Sequence, residues 1–239
     1  MAERLVAAIR THGQKPLDKI VTHEFGVGAT LTTAMTFHAM GINHQTLVDV
    51  YPLAKPWILE QTVEQFHRLL SHRSLRLPSL PLSNMGIEYV APGPVVSHRG
   101  PYDVVTSTSV LEHLSERELS AIFSGLRRML KPTGIMVHHI DYTDHYSHGY
   151  EEISCYNFLK YSDRRWAWFN SPLHFQNRLR HSDYLRLIEK AGFEIVAVET
   201  NQCPSKDLEV LTSMHLDPRF HRYTTEDLSI SHGFIVARS

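Results

Sequence analysis

The sequence predicts an α/β fold built on a mainly parallel sheet. Two observations point there. Segments with helical spacing of apolar residues alternate with short strand-like runs along the chain, and a glycine turn joins the first such run to the helix behind it. At 239 residues, 42% hydrophobic and 21% charged, the chain suits one domain, residues 1–239, around one core.

The elements follow in order. "AERLVAAIR" places Leu5, Ala8 and Ile9 on one helical face, and "GQKPL" stops it. "KIVTHEF" reads as the first strand, the glycines as a turn, and "ATLTTAMTFHAM" as a helix that Gly41 ends. "TLVDVY" reads as the second strand and "ILEQTVEQFHRLLSHRS" as a helix directing Ile58, Val63, Phe66, Leu69 and Leu70 at the core. The proline-rich stretch from Leu77 to Gly100 reads as loop except for the strand "IEYVA". "YDVVTS" is a buried strand. Ser115 and Glu118 form a capping box for a helix whose Leu119, Ile122, Phe123, Leu126 and Leu130 make one stripe. Lys131–Pro132 closes that helix, and Gly134 opens the strand "IMVHHIDY". Residues 143–180 are aromatic, histidine-rich and weakly periodic, which suggests an insertion or lid. A helix "SDYLRLIEKAGF", a strand "EIVAVE", a long irregular link and a strand "HGFIVARS" finish the chain, the last two strands suited to antiparallel pairing at the sheet edge.

Charge narrows the partners. With 24 basic and 25 acidic side chains the net charge is −1, so no global field draws the chain to nucleic acid or to an anionic membrane. No apolar run reaches the roughly 18 residues needed to span a bilayer. A soluble, cytoplasmic protein with a small-molecule substrate is expected, and a homodimer stays open. Cys155 and Cys203 are isolated and read as reduced side chains. The 17 histidines raise the chance of metal binding or pH sensitivity, against the plainer reading of scattered surface imidazoles.

The chemistry begins at "HEFGVGAT", residues 23–30. A glycine turn between strand and helix lets a ligand approach bare backbone and helix N-terminal amides. Alone it is equally a tight turn. Asp49 at the end of the second strand adds a carboxylate where one can accept the two hydroxyls of an adenosine ribose. A nicotinamide dinucleotide is disfavoured, because Leu31 occupies the third glycine position of that fingerprint.

Five stretches in this order resemble the class I S-adenosylmethionine (SAM) dependent methyltransferases: "EFGVG", "LVDVY", "YDVVTSTSVLEHL", "LRRMLKPTGIMVHHID" and "AGFEIV". The resemblance spans the chain from about residue 18 onward. It implies a doubly wound, Rossmann-like sheet of seven strands with the last antiparallel, and SAM at the carboxyl ends of the first strands. It also implies that Glu24, Gly26 and Gly28 line the methionine portion, that Asp49 takes the ribose, that Ala91 lies near the adenine, and that Ser107 stands beside the cofactor. Family members often carry an acidic residue near the position of Ala91, and this chain does not.

Methyl transfer chiefly needs alignment and exclusion of water, with a base where the acceptor holds a proton. Candidate bases are His113 in "LEHL" and His139, Asp141, Asp144 and His145 in "HHIDYTDHYSH". The second stretch invites a metal reading too, but His138 and His139 alternate on a strand and cannot share an ion. Some similar quinone-type O-methyltransferases bind a divalent ion through E-x-x-E-H, whose first Glu is Ser109 here, and no metal is expected. The aromatic residues from Tyr142 to Phe169 read as a hydrophobic cap, some of whose faces could meet a sulfonium, with Asn170, Gln176, Asn177 and Arg178 available to a charged methionine tail. The favoured function is methyl transfer to oxygen or nitrogen of a small molecule. A SAM cyclase forming azetidine-2-carboxylate and methylthioadenosine is the alternative, and a non-catalytic SAM-binding module the third reading.

Overall fold

Strand-like runs that are buried on both faces can satisfy their backbone groups only within a covered sheet, and they do so here in the order β3-β2-β1-β4-β5-β7-β6. The computed structural model describes residues 1–70, 75–96, 100–172 and 174–239. From the amino end its helices and strands are α1 (Ala2–His12), β1 (Thr22–Phe25), α2 (Thr32–Ala39), β2 (Gln45–Val48), α3 (Pro56–Leu70), β3 (Ile87–Val90), β4 (Tyr102–Thr108), α4 (Glu116–Met129), β5 (Leu130–Asp141), α5 (Asp163–Trp166), α6 (His181–Lys190), β6 (Glu194–Gln202), α7 (Ser205–Ser213), α8 (Thr225–Ser229) and β7 (Ile230–Arg238). β1 pairs in parallel with β2 and β4, β2 with β3, and β4 with β5, whereas β7 runs antiparallel to β5 and β6. The fold is therefore the seven-stranded α/β sheet that the sequence predicts.

Period-2 alternation in β5 divides the core. Met136 and Ile140 pack with Phe123 and Leu126 of α4 and with Leu187 and Ile188 of α6. Ile135 and Val137 face Leu5, Val6 and Ile9 of α1, with Phe37 of α2 alongside. Each such fully buried side chain contributes about 1.5 to 3 kcal/mol relative to exposure. α4 starts as its capping box requires: Ser115 Oγ accepts the Glu118 amide at 3.3 Å, and the Ser115 amide donates to Glu118 Oε2 at 2.7 Å. None of the described helices is long and apolar enough to cross a membrane.

Three expectations need correction. In α3 Val63 and Phe66 pack on the core as expected, but the buried positions are Leu59 and Thr62, and Leu69 is exposed, because the helix turns its Leu59 side onto β2 and β3. The expected end of that helix, Ser71 to Ser74, lies outside the described residues. Cys155 and Cys203 are joined as a disulfide rather than reduced. They are 48 residues apart, and they meet because the chain after β5 folds back over the end of β6, where Tyr156 Oη donates to the Ser229 carbonyl at 2.6 Å and accepts the Cys203 amide at 3.3 Å. Finally, the link between β6 and β7 is not irregular: α7 and α8 lie in it, and its Leu211, Phe220 and Leu228 share a cluster with Tyr156, Phe158 and Trp166. Residues 143–180 thus lean on a second segment that the sequence reading left as loop.

Arg180, fully buried, fixes this junction by donating to the carbonyls of Tyr142 at 2.9 Å, Leu228 at 3.3 Å and Ile230 at 2.9 Å. The two terminal nitrogens of this buried guanidinium exchange hydration for carbonyls held in place, while Nε stays unpartnered.

Buried titratable groups give the sheet a pH signature. Burial lowers His23 to about 4, His138 to about 3 and His139 to about 4, and raises Glu24 and Glu112 to about 8. The histidines contribute stability that is present above about 6.5 and lost as the pH falls towards their folded values. The two carboxyls contribute stability present below about 4.5 and lost as the pH rises to about 8. Unfolding free energy should therefore peak near pH 6.5 and decline towards pH 8 by about 1.4 kcal/mol per unit for each carboxyl. Urea titrations between pH 5.5 and 8.5 check this, and Glu112→Gln should roughly halve the alkaline decline.

Candidate active site

The chain runs outward from β1 to β3 and returns beside β1 as β4, so a crevice opens at the carboxyl ends of β1 and β4. Gly26 (φ +67°) and Gly28 (φ +66°) turn the backbone there through the left-handed region, where a side chain is strained. A Cβ on Gly26 would lie 2.3 Å from Val110 Cγ2, whereas one on Gly28 would meet nothing within 4 Å. The first glycine is thus needed for packing, and the second faces free space.

Asp49 joins this turn to β2. Its Oδ2 accepts the Gly28 amide at 3.0 Å and its Oδ1 accepts the Tyr51 amide at 3.1 Å, which leaves each oxygen a further acceptor position. Its own amide donates to Val90 O at 3.2 Å, and its carbonyl accepts the Gly93 amide at 2.9 Å, so half-buried Ala91 sits in a turn bound to Asp49. Glu24, at the end of β1, is buried with Oε2 unpartnered, and burial pushes it up to about 8 against a bond from Thr33. Leu31, which displaces the third glycine of the dinucleotide pattern, itself adopts φ +53° at the start of α2 and is buried. Ser107 is not where the sequence reading put it. It points into the α4 side of the sheet, fully buried, with Oγ 2.8 Å from His138 Nδ1, because its β4 position alternates away from the crevice.

A second group of side chains lies at the ends of β4 and β5. Val110, pressed on Gly26, precedes Glu112 and His113 by two and three residues. His113 Nδ1 lies 2.8 Å from the Phe175 carbonyl; a carbonyl only accepts, so this nitrogen carries the proton and Nε2 keeps its lone pair in the neutral ring. Burial lowers the His113 pKa, which favours that neutral form. Its ring is 5.0 Å from that of His145, edge to face. Asp141 Oδ2 in turn stands 3.6 Å from His145 Nε2, 3.5 Å from His148 Nε2 and 3.7 Å from His232 Nε2. Burial alone would raise Asp141, but the neighbouring His145 and His232 imidazoles and the hydrogen bonds from Thr143 outweigh it and hold the carboxyl well below the usual carboxylate range. It is an ionised carboxylate ringed by imidazoles.

Of the candidate bases, the structure brings His113, Asp141 and His145 together. His139 turns to the other side of β5 from His138, as alternation requires, and stacks on His232 with centroids 5.4 Å apart. Asp144 is committed to the chain as a cap, accepting from the Tyr146 amide and Asn157 Nδ2, both at 3.0 Å. Asn170, Gln176, Asn177 and Arg178 are also engaged within the protein: Asn170 and Gln176 bond each other's backbone or side chain, Asn177 donates to Leu111 and Leu114 carbonyls, and Arg178 donates to Phe158 and Tyr161 carbonyls. Of the aromatic residues, Tyr142, Tyr156, Phe158 and Trp166 are buried, while Tyr146, Tyr150, Trp168 and Phe169 are exposed.

Glu112 is the residue that sequence reasoning passed over. It is buried with both carboxyl oxygens unpartnered, and burial pushes it up to about 8. Among the described residues, Glu112, His113 and His145 form a trio whose donor atoms lie within 4.8 Å of one another. The "EH" pair was visible in the sequence; its approach to His145 depends on how β4 and β5 end side by side.

Residues 33–198 match the family model described as a methyltransferase domain. Solved structures share the fold. One is an S-adenosylmethionine dependent methyltransferase from Mesorhizobium loti, 14% identical with a TM-score of 0.57, the match covering 100% of this chain and 98% of that one. Another is the magnesium protoporphyrin IX methyltransferase of Synechocystis PCC 6803 with bound SAH, 12% identical, TM-score 0.53, covering 99% and 78%. A third is the [4+2]-cyclase SpnF, 16% identical, TM-score 0.56, covering 99% and 80%. No curated protein matches the sequence. The family match covers more than half of the chain, which therefore belongs to the methyltransferase domain family, and the cofactor of that family is SAM.

The two glycines should respond differently to alanine. Gly26→Ala adds a steric clash to the strain of positive φ and should cost about 3 kcal/mol or more, against about 1 kcal/mol of strain alone for Gly28→Ala. Chemical denaturation of both variants measures the difference.

Proposed function

We propose that the protein transfers a methyl group from SAM to an oxygen or nitrogen of a small molecule. The observation that carries this reading is the Asp49 carboxylate bound to the Gly28 amide at 3.0 Å, beside a backbone with open space where a side chain would be. Such a clasp suits an adenosyl ligand. The remaining acceptor positions of Asp49 would take the ribose hydroxyls, Gly26 and Gly28 would admit the methionine portion, and the turn at Ala91 would border the adenine. Bound SAM supplies an electrophilic methyl carbon.

The chain's own residues handle the proton. His145, with Nε2 towards ionised Asp141, is held as a triad base is held by its carboxylate, leaving Nδ1 to accept a proton from the acceptor. The 3.6 Å separation is the loose geometry of a site without substrate, which shortens as the imidazole becomes charged. His113 orients the acceptor through its unprotonated Nε2. Residues 143–180 cover this side and exclude water.

Titration calorimetry with SAM and with S-adenosylhomocysteine tests the reading. Asp49→Ala should weaken both by about 100-fold, the worth of hydrogen bonds to a charged group. Methyl label should then pass to an acceptor; methylthioadenosine formed from SAM alone would instead establish the cyclase. A second outcome concerns Glu24. A cationic ligand beside it favours its ionised form, so SAM binding should release a proton and tighten between pH 6.5 and 8, and Glu24→Gln should remove that dependence.

A further inference from the structure

A cavity of about 190 Å³ opens beside His145, lined among the described residues by His145, Tyr146, Gly149, Tyr150, His174 and Gln176. Neighbouring residues link its wall to the glycine turn: Val110 lies on Gly26, the Val110–His113 segment follows, and the His113 ring lies 5.0 Å from that of His145. We propose that this cavity is the acceptor subsite and that it takes an uncharged single aromatic ring bearing a hydroxyl group. This rests on the methyl-transfer reading and names the substrate class for the same site.

Size sets the first limit. A cavity of about 150 Å³ holds benzene, and drug-sized ligands need about 300 Å³ or more. A volume of about 190 Å³ therefore accommodates one ring with small substituents. The walls set the second. Tyr146 is fixed by its hydroxyl, which donates to the Phe169 carbonyl at 2.7 Å, and by an edge-to-face contact with Trp166 at 6.3 Å. With Tyr150 it offers aromatic surface on which a planar ring gains more than by area alone.

Polarity sets the third. Among the described residues the lining side chains include no Asp, Glu, Lys or Arg. Gln176 is used at both ends, accepting the His145 amide at 3.1 Å and donating to the Thr143 carbonyl at 2.9 Å. Asp141 stands on the Nε2 side of His145 and outside the described lining, so an ammonium or carboxylate in the cavity would find no direct ion-pair partner on its wall, whereas a hydroxyl finds an imidazole. In the reaction the hydroxyl proton passes to His145, the oxygen lone pair forms the new C–O bond, and the C–S bond breaks with its electrons going to sulfur, giving S-adenosylhomocysteine.

Gly149 provides the test. It lines the cavity at φ −107°, ψ −13°, which any residue adopts, and a Cβ there meets nothing within 4 Å. Gly149→Leu should fill the cavity without strain. The probe is 4-methylphenol, compared with benzylamine and benzoate, titrated into the protein loaded with S-adenosylhomocysteine and followed by calorimetry and by histidine NMR signals. The expected result is 4-methylphenol binding at least tenfold tighter than either charged probe, lost by tenfold or more in Gly149→Leu while S-adenosylhomocysteine binding stays unchanged. Tyr150→Ala, at an exposed wall position, should weaken the phenol about fivefold and serves if the leucine variant fails to fold. Normal S-adenosylhomocysteine binding with no phenol binding, with equal binding of a charged probe, or with phenol binding indifferent to both variants overturns the subsite. Failure of S-adenosylhomocysteine itself to bind overturns the methyltransferase reading instead, and the same phenol titration on the unloaded protein still decides the cavity.

Discussion

One hydrogen bond holds the functional end of the sheet together: the Gly28 amide on the Asp49 carboxylate. Parallel strands end with their last carbonyls facing the same crevice, and a free carboxylate among them would be repelled. Asp49 avoids this by accepting two amides, from Gly28 and Tyr51, one on each oxygen. The Gly28 amide is available only because the backbone turns through positive φ at 26 and again at 28. The turn and the carboxylate therefore stabilise each other, and everything that follows along the crevice, from the Val90–Gly93 turn to Val110, takes its position from them.

Charge is graded along the same end of the sheet. At β1 a buried Glu24 stays protonated near neutral pH, and at the β4 end Glu112 does the same. Between them and the exposed side, Asp141 is ionised, since three imidazoles and Thr143 supply what desolvation removes. A site that keeps two carboxyls neutral and one charged has separated their environments, which is how acid and base roles coexist at one pH. The abundance of histidine acquires a local meaning here: His113, His145, His148 and His232 come from three separate parts of the chain and meet around one carboxylate and its neighbours.

The parts legible in the sequence are those with short-range physical causes. The Ser115–Glu118 box, the α4 stripe, the glycine turn and the strand-end position of Asp49 each follow from residues within a turn or two of one another. The antiparallel final pair was expected from the length of the link between the last two strands, although that link holds α7 and α8 rather than irregular chain. What was not legible depends on long-range approach. Cys155 and Cys203 carry no signal for each other across 48 residues, the inward face of α3 is set by the sheet beneath it, and Ser107 follows the pleat of β4 rather than its nearness to the crevice. The polar residues from Asn170 to Arg178 looked free because their partners are main-chain carbonyls, which every sequence contains and none displays.

Residues 143–180 show why such a segment can lack periodicity and still be well determined. Regular elements satisfy their backbone groups internally, so their side chains need only a face. An irregular segment must find partners for each carbonyl, and here buried Arg178 and Arg180, with Gln176 and Asn177, supply them. Gln176, Asn177 and Arg178 are consecutive and Arg180 follows after Leu179, so one short stretch pins the wall that carries His145 and Tyr146 to α8 and β7. The arrangement leaves the side chains of Tyr150 and Trp168 exposed on its outer side. Substitution at those positions or at Gly149 therefore leaves the Asp49 clasp and the Asp141 imidazole group in place, because the bonds that hold the wall lie on its inner side.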